Sequence, residues 1–325
     1  MGKIFRFIIG FVLLLILMAL SLIVGTRDIP VQTVIESFTN YHATVDQLIV
    51  TTDRLPRTLI AILVGACLAT AGAITQVLFR NPLASETTLG INGGASFFMV
   101  IAVTFFPGMA LSQLIWISFI GSGLTFMLIF AIGRAQTPLQ LTLAGTSIAA
   151  LFSSLTQGFL VLNEQSLEQM LYWLTGSVEG RKLTDVIPVL PYILLGLVSA
   201  LFLSRSLNLL ALGEEVSKSL GLSVSVYKIL AGFSVVLLAG GSVAIAGPIL
   251  FVGLLVPHLA KIWIGQDHRL VIPFSALLGA ILLLCADMLG RAIMVQQVIP
   301  VGVMTAVLGA PIFLFLVRRS WGQKV

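Results

Sequence analysis

Asp287 is the only charged residue in the apolar run from 271 to 290, and Arg291 follows it four positions later. That spacing sets two side chains on one face of a helix. An unpaired aspartate in lipid costs about 2.5 to 3.5 kcal/mol on insertion scales, so the pair reads as a structural ion bridge near the end of a membrane span. The other chemistry open to an intramembrane acid is a proton relay. His258, after Pro257 at the end of another apolar run, reads as a helix-end or interface histidine rather than a ligand. Cys67 and Cys285 lie within apolar runs without CxxC or zinc-ligand spacing, which points to two buried thiols and no metal site.

The familiar nucleotide and hydrolase motifs are missing. The sequence holds no G-x-x-x-x-G-K-[ST] loop, G-x-G-x-x-G fingerprint, H-E-x-x-H or G-x-S-x-G elbow, so no ATP, dinucleotide or metalloprotease site is expected by short motif. The chain is expected to be no enzyme by itself and to bind no cofactor. An ion-coupled carrier keeps carboxylates or histidines near the membrane midplane, and this sequence offers almost none. Active transport would then draw its energy from a partner subunit through a cytoplasmic loop.

The elements that carry these residues follow from composition. Of 325 residues, 58% are hydrophobic and 10% charged, with mean hydropathy +1.08; a soluble domain would carry roughly a quarter charged. The net charge of +5 comes from basic residues scattered in ones and twos, which argues for topology rather than a nucleic-acid patch. Apolar runs fit to cross a core of about 30 Å are expected near 4–25, 58–79, 90–107, 112–133, 139–162, 186–204, 227–247, 249–265, 271–290 and 301–317. The division at Gly247-Pro248 rests on proline's missing donor and its effect on the residue before it. Residues 1–325 thus read as one all-α, polytopic membrane domain of about ten helices.

An even count puts both termini on one side. Lys3, Arg6, Arg318, Arg319 and Lys324 make that side cytoplasmic by the positive-inside rule. Arg80, Arg134, Arg205, Lys218, Lys228, Lys261 and Arg269 join them, so that twelve of the 18 basic residues lie inside. Arg27, Arg54, Arg57, Arg181, Lys182 and Arg291 remain outside and need a reason. Small residues crowd 65–73 and 239–247, faces that let helix backbones approach in lipid, and their opposite orientations suggest an inverted repeat. Two connections are long: Thr26 to Asp53 outside, and Ser204 to Ser225 inside. In the inner one Leu212, Val216 and Leu220 fall at i, i+4, i+8 of a short polar helix stopped by Gly221, an apolar edge offered to the cytoplasm.

Ordered blocks along most of the chain resemble one family. They are Arg54-Leu55-Pro56-Arg57, the segment from Gly65 to Gln76 with Arg80-Asn81-Pro82-Leu83-Ala84, Leu89-Gly90, Leu143-Ala144-Gly145, Leu212-Gly213-Glu214 with Leu220-Gly221, and Gly247-Pro248-Ile249 through Pro257-His258. Asp267-His268-Arg269, Ala286-Asp287, Arg291 and Pro300-Val301-Gly302 through Gly309-Ala310-Pro311 complete the set. The sequence resembles the permeases of bacterial ABC importers for iron-siderophore complexes, haem and vitamin B12. That resemblance implies a vitamin B12 permease-like (type II ABC importer) fold in the bacterial cytoplasmic membrane. It also implies a second permease subunit, two ATP-binding subunits inside and a substrate-binding protein outside.

By the same resemblance Arg54, Arg57 and Arg291 occupy the positions that meet glutamates of the binding protein; the alternative is that they anchor to lipid headgroups or to Asp53 and Asp287. Leu212, Gly213, Glu214, Glu215, Lys218, Leu220 and Gly221 match the loop that couples to the ATPase. The chain departs from the family at Glu86, where proline is usual, at Val298, where glutamate is usual, and at Pro138-Leu139, which replace a small polar pair of a vitamin B12 permease. The expected cargo is a ferric siderophore, with vitamin B12 or haem as the alternative and an ion-coupled carrier as the alternative from another class.

Overall fold

The computed structural model describes residues 2–25, 27–133, 138–293 and 298–321. Arg134 and Lys324, counted above as cytoplasmic charges, and Thr26, the start of the outer connection, lie outside them. Among the described residues the fold is all helical. In order come α1 (Gly2–Ile23), α2 (Val31–Thr39), α3 (Val45–Leu48), a π-turn (Ile49–Arg54), α4 (Leu55–Leu78), a 3-10 turn (Glu86–Leu89), α5 (Ile91–Phe105) and α6 (Leu111–Gly133). There follow α7 (Pro138–Leu162), α8 (Glu164–Leu174), α9 (Leu183–Val186), α10 (Leu190–Ala211), α11 (Glu214–Ser219) and α12 (Val224–Val235). A second π-turn (Val236–Gly240), α13 (Gly241–Ala246), α14 (Val252–Ile264), α15 (His268–Ile293) and α16 (Val301–Trp321) complete the chain.

Among the described residues seven helical runs are long and apolar enough to cross a membrane: α1, α3 through α4, α6, α7, α10, α12 through α13, and α15. Three shorter apolar helices, α5, α14 and α16, lie where the remaining apolar runs were expected. The shortness of α14 has a local cause. Gly247 takes φ +75°, Pro248 supplies no donor, and Phe251 sits at φ +70°, so the backbone from 247 to 251 is not helical. The expected run 249–265 therefore starts as helix only at Val252.

Close backbone contact builds the centre. A Cβ on Gly65 would lie 2.3 Å from the Gly279 carbonyl oxygen, and one on Gly279 would lie 2.2 Å from that of Gly65. Likewise a Cβ on Gly72 would lie 1.9 Å from the Gly253 oxygen. In lipid, where burial of apolar surface gives no drive to associate, such close approach is what holds helices together. The two small-residue helices, α4 and α12–α13, are accordingly enclosed along most of their length. By contrast α1 buries only Gly10, Ser21 and Leu22; its other faces suit lipid. Residues 27–53 of the long first connection include two short helices, with Thr44 and Gln47 forming a reciprocal capping box at the start of α3.

Candidate functional site

Polar groups gather at the two ends of the bundle and along one groove. At the predicted outer end, Pro56 lies where the π-turn Ile49–Arg54 runs into α4, and Arg57 next to it reaches α15. Arg57 Nε and Nη2 both reach Asp287 Oδ1, at 2.9 and 2.8 Å. Asp287 Oδ2 lies 3.1 Å from Arg291 Nε. The i, i+4 bridge expected from spacing is therefore present, and a second arginine from 230 residues away shares it.

The remaining guanidinium nitrogens close the end of α1. Arg291 donates from Nη1 to the Ser21 and Val24 carbonyls at 3.1 and 3.0 Å, and from Nη2 to Ser21 Oγ at 2.7 Å. Arg54 donates from Nη1 to the Leu22 and Ile23 carbonyls at 2.8 and 2.6 Å, and from Nη2 to the Arg27 carbonyl. A helix end leaves four carbonyls without partners and a partial negative charge, and α1 has no basic residue of its own in its last turn. Arg54, Arg57 and Arg291 are 3%, 4% and 5% exposed. The three residues expected to face a docking protein are thus brought together, turned inward in the single chain.

Beside them runs the loop after α8, which composition alone did not single out. Glu179 lies 3.9 Å from Arg57 and accepts a hydrogen bond from the Tyr172 hydroxyl. Burial, with this bond to Glu179 next, pushes the Tyr172 phenol above its ordinary value. The loop is tied down by main-chain bonds, Ser177 N to Ala246 O at 2.7 Å and Gly302 N to Gly176 O at 2.9 Å. Gly247 makes this possible, because a Cβ there would meet the Trp173 carbonyl oxygen at 2.1 Å. The glycine pair bracketing Ser177-Val178-Glu179 was the available sequence signal for a fixed loop.

Between α5 and α7 lies a half-open groove of about 450 Å³ lined by Thr87, Asn92, Ser96, Ser153, Thr156 and Gln157 among small side chains. Its hydroxyls and amides suit a wetted path and lack the charges that would hold one ion tightly. Among the described residues no group of three or more His, Cys, Asp or Glu side chains is placed to hold a metal.

At the opposite end α11 projects from the bundle. Leu212, Val216 and Leu220 are all exposed, as are Glu215, Lys218 and Gly221. Gly213 enters at φ +117° and Gly221 leaves at φ +83°, backbone shapes that favour glycine. The mount is specific. Ser217, fully buried, donates to the Leu209 carbonyl at 2.7 Å and the Gly213 carbonyl at 2.5 Å, and Glu214 pairs with the buried Lys228 of α12 at 2.5 Å. Lys228 was counted above only as a cytoplasmic charge. Asn208 bonds Asp267 at 2.7 Å, which with the Arg269 main-chain donor holds that carboxyl below its ordinary value.

Residues 13–319 match the profile of the FecCD transport family. The chain is 46% identical over 312 residues to "Probable siderophore transport system permease protein YfiZ" of Bacillus subtilis (strain 168), covering 95% of this chain and 94% of that one. It is 41% identical to the Fe(3+)-citrate import system permease protein YfmD of the same organism, covering 99% and 97%. It is 39% identical to the ferric enterobactin transport system permease protein FepD of Escherichia coli (strain K12), covering 95% and 93%. A solved inward-facing structure assigned to the metal-chelate type of ABC transporter superposes with TM-score 0.86 at 31% identity, over 95% of this chain and 97% of that one.

Proposed function

The chain belongs to the FecCD transport family, and from that premise we propose that it is the permease subunit of an ATP-driven importer moving an iron(III)-siderophore complex across the cytoplasmic membrane. On this reading the single domain crosses ten times in a vitamin B12 permease-like arrangement, α5, α14 and α16 included, with both termini cytoplasmic. The names of the relatives support the cargo class. The observation that carries the mechanism is the exposed apolar set of Leu212, Val216 and Leu220, on and on either side of α11, a helix locked to α10 and α12.

A partner pressing on α11 moves a rigidly mounted lever. Two ATP-binding subunits seat on this apolar set, with Gly213, Glu214, Glu215, Lys218 and Gly221 shaping it. Their closure passes through Ser217 and the Glu214–Lys228 bridge into α10 and α12. A second permease subunit completes the groove between α5 and α7, which conducts without strong binding because its lining is uncharged. Selectivity then belongs to an extracytoplasmic binding protein docking over Arg54, Arg57 and Arg291. The three guanidiniums there, held in the single chain by Asp287, Glu179 and the α1 carbonyls with Asp53 and Asp28 acting through space, offer a positive charge that attracts acidic side chains of that protein. Its main effect is on orientation and encounter rate. Uptake of radioactive iron from a panel of ferric siderophores, in iron-starved cells with and without the chain, tests the cargo. Loss for at least one chelate is expected; unchanged uptake of all of them overturns the assignment.

A further inference from the structure

The surface of α2, in the long first connection, is divided lengthwise. Val34 and Ser37 are buried, while Val31, Ile35 and Phe38 are 55%, 58% and 56% exposed. At about 100° per residue these three fall within about 60° of one another, and Gln32, Glu36 and Thr39 occupy the next flank. Along that polar flank Gln32 Nε2 donates to Glu36 Oε1 at 2.9 Å. Tyr41, just past the helix, is also exposed, a residue type that gathers at the headgroup level of membranes.

The height of α2 in the molecule follows from α1. Lys3 and Arg6 stand in the first turns of α1, and Arg27 and Asp28 follow its end. The apolar helix between them, residues 7–23, rises about 26 Å, close to the thickness of a hydrocarbon core of about 30 Å. Its last turn therefore reaches the membrane boundary. Leu22 of that turn forms one buried cluster with Ile29, Val34 and Val50, so the buried side of α2 is seated where α1 leaves the core. Ile16 and Leu20 of α1 are exposed on the way to that point, and the apolar flank of α2 continues the lipid-facing surface they begin.

The charges nearby argue against a protein on this flank. Between residues 27 and 39 they are Arg27, Asp28 and Glu36, and Arg27 is paired with Asp46 at 3.0 Å. An acidic docking face finds no unpaired cation there. Three large apolar side chains beside a polar flank instead match helices that lie in the plane of the interface, with the apolar side sunk about 5–10 Å below the headgroups.

We propose that α2 is an interfacial helix whose flank of Val31, Ile35 and Phe38 rests in the lipid surface beside the end of α1. The inference rests on the chain's crossing a membrane and not on its cargo.

Spin labels test it in the full-length chain. Cys67 and Cys285, the two cysteines of the sequence, are changed to alanine, single cysteines along α2 carry a nitroxide, and the protein is held in phosphatidylcholine nanodiscs. Oxygen concentrates in lipid, and a neutral nickel chelate stays in water. The ratio of oxygen access to nickel access should be several-fold higher for Val31→Cys, Ile35→Cys and Phe38→Cys than for Gln32→Cys, Glu36→Cys and Thr39→Cys. The same low ratio at all six positions would leave the flank in water, free for a docking protein, and overturns the proposal. Poor access of both reagents at the three apolar positions, the result expected where a second copy covers them, overturns it as well.

Discussion

Asp287 is 1% exposed and touches two guanidiniums, so its charge is tolerated only because both are there. Breaking a buried pair by removing one partner leaves an uncompensated charge and costs about 3 to 5 kcal/mol. Asp287→Asn leaves the buried Arg57 and Arg291 without the carboxylate they share and should therefore lower the thermal midpoint of the solubilised chain sharply. Arg27 pairs with Asp46 at 3.0 Å with its side chain 58% exposed, and Arg27→Met should cost no more than about 1 kcal/mol. Equal shifts for the two variants would contradict the assignment of Asp287 as the keystone. The Asp287–Arg291 half of this cluster was legible in the sequence, because i, i+4 spacing is local. Arg57 was legible as its partner only as the alternative to docking, since nothing local links residues 230 positions apart. The inward turn of Arg54 and Arg291 was not legible, because it follows from the open carbonyls of α1. Resemblance marked the three positions as a group, and only tertiary geometry shows what they hold in the single chain.

Helix contacts set a second scale of test. Gly72→Ala places a methyl group 1.9 Å from the Gly253 oxygen, a backbone atom that cannot step aside, so folded yield by size exclusion should collapse. Gly158 of α7 has open space where its Cβ would stand; Gly158→Ala should be neutral or stabilise by up to about 1 kcal/mol through helix propensity. On α11, Val216→Asp changes an exposed side chain and should leave the thermal midpoint unchanged while abolishing co-purification of the ATP-binding subunits. Retained co-purification would remove α11 from the coupling surface. The three apolar residues were readable as an exposed set, but not as one helical face, since only Val216 lies in α11 and Gly213 at φ +117° separates it from Leu212; density of small residues made α4 and α12–α13 readable as central. The two π-turns, the helices α2 and α3 in the outer connection, and the late start of α14 were not readable, because each is fixed by contacts or backbone angles rather than by hydropathy.

For the molecule as a whole, composition and the ten apolar runs indicated an all-α membrane protein, and the family match extends that over residues 13–319. The groove was foreseeable only as a character, small and hydroxyl-bearing, since its lining converges from α5, α7 and the 3-10 turn. The lack of clustered intramembrane acids makes the energy source the most exposed part of the proposal. Right-side-out membrane vesicles loaded with ATP, supplied with a radioactive ferric siderophore and its binding protein, and treated with a protonophore, address it directly. Uptake should require internal ATP and continue when the proton gradient is collapsed. Uptake that proceeds without ATP and stops at once with the protonophore would contradict a permease driven through α11 and return the chain to the ion-coupled class.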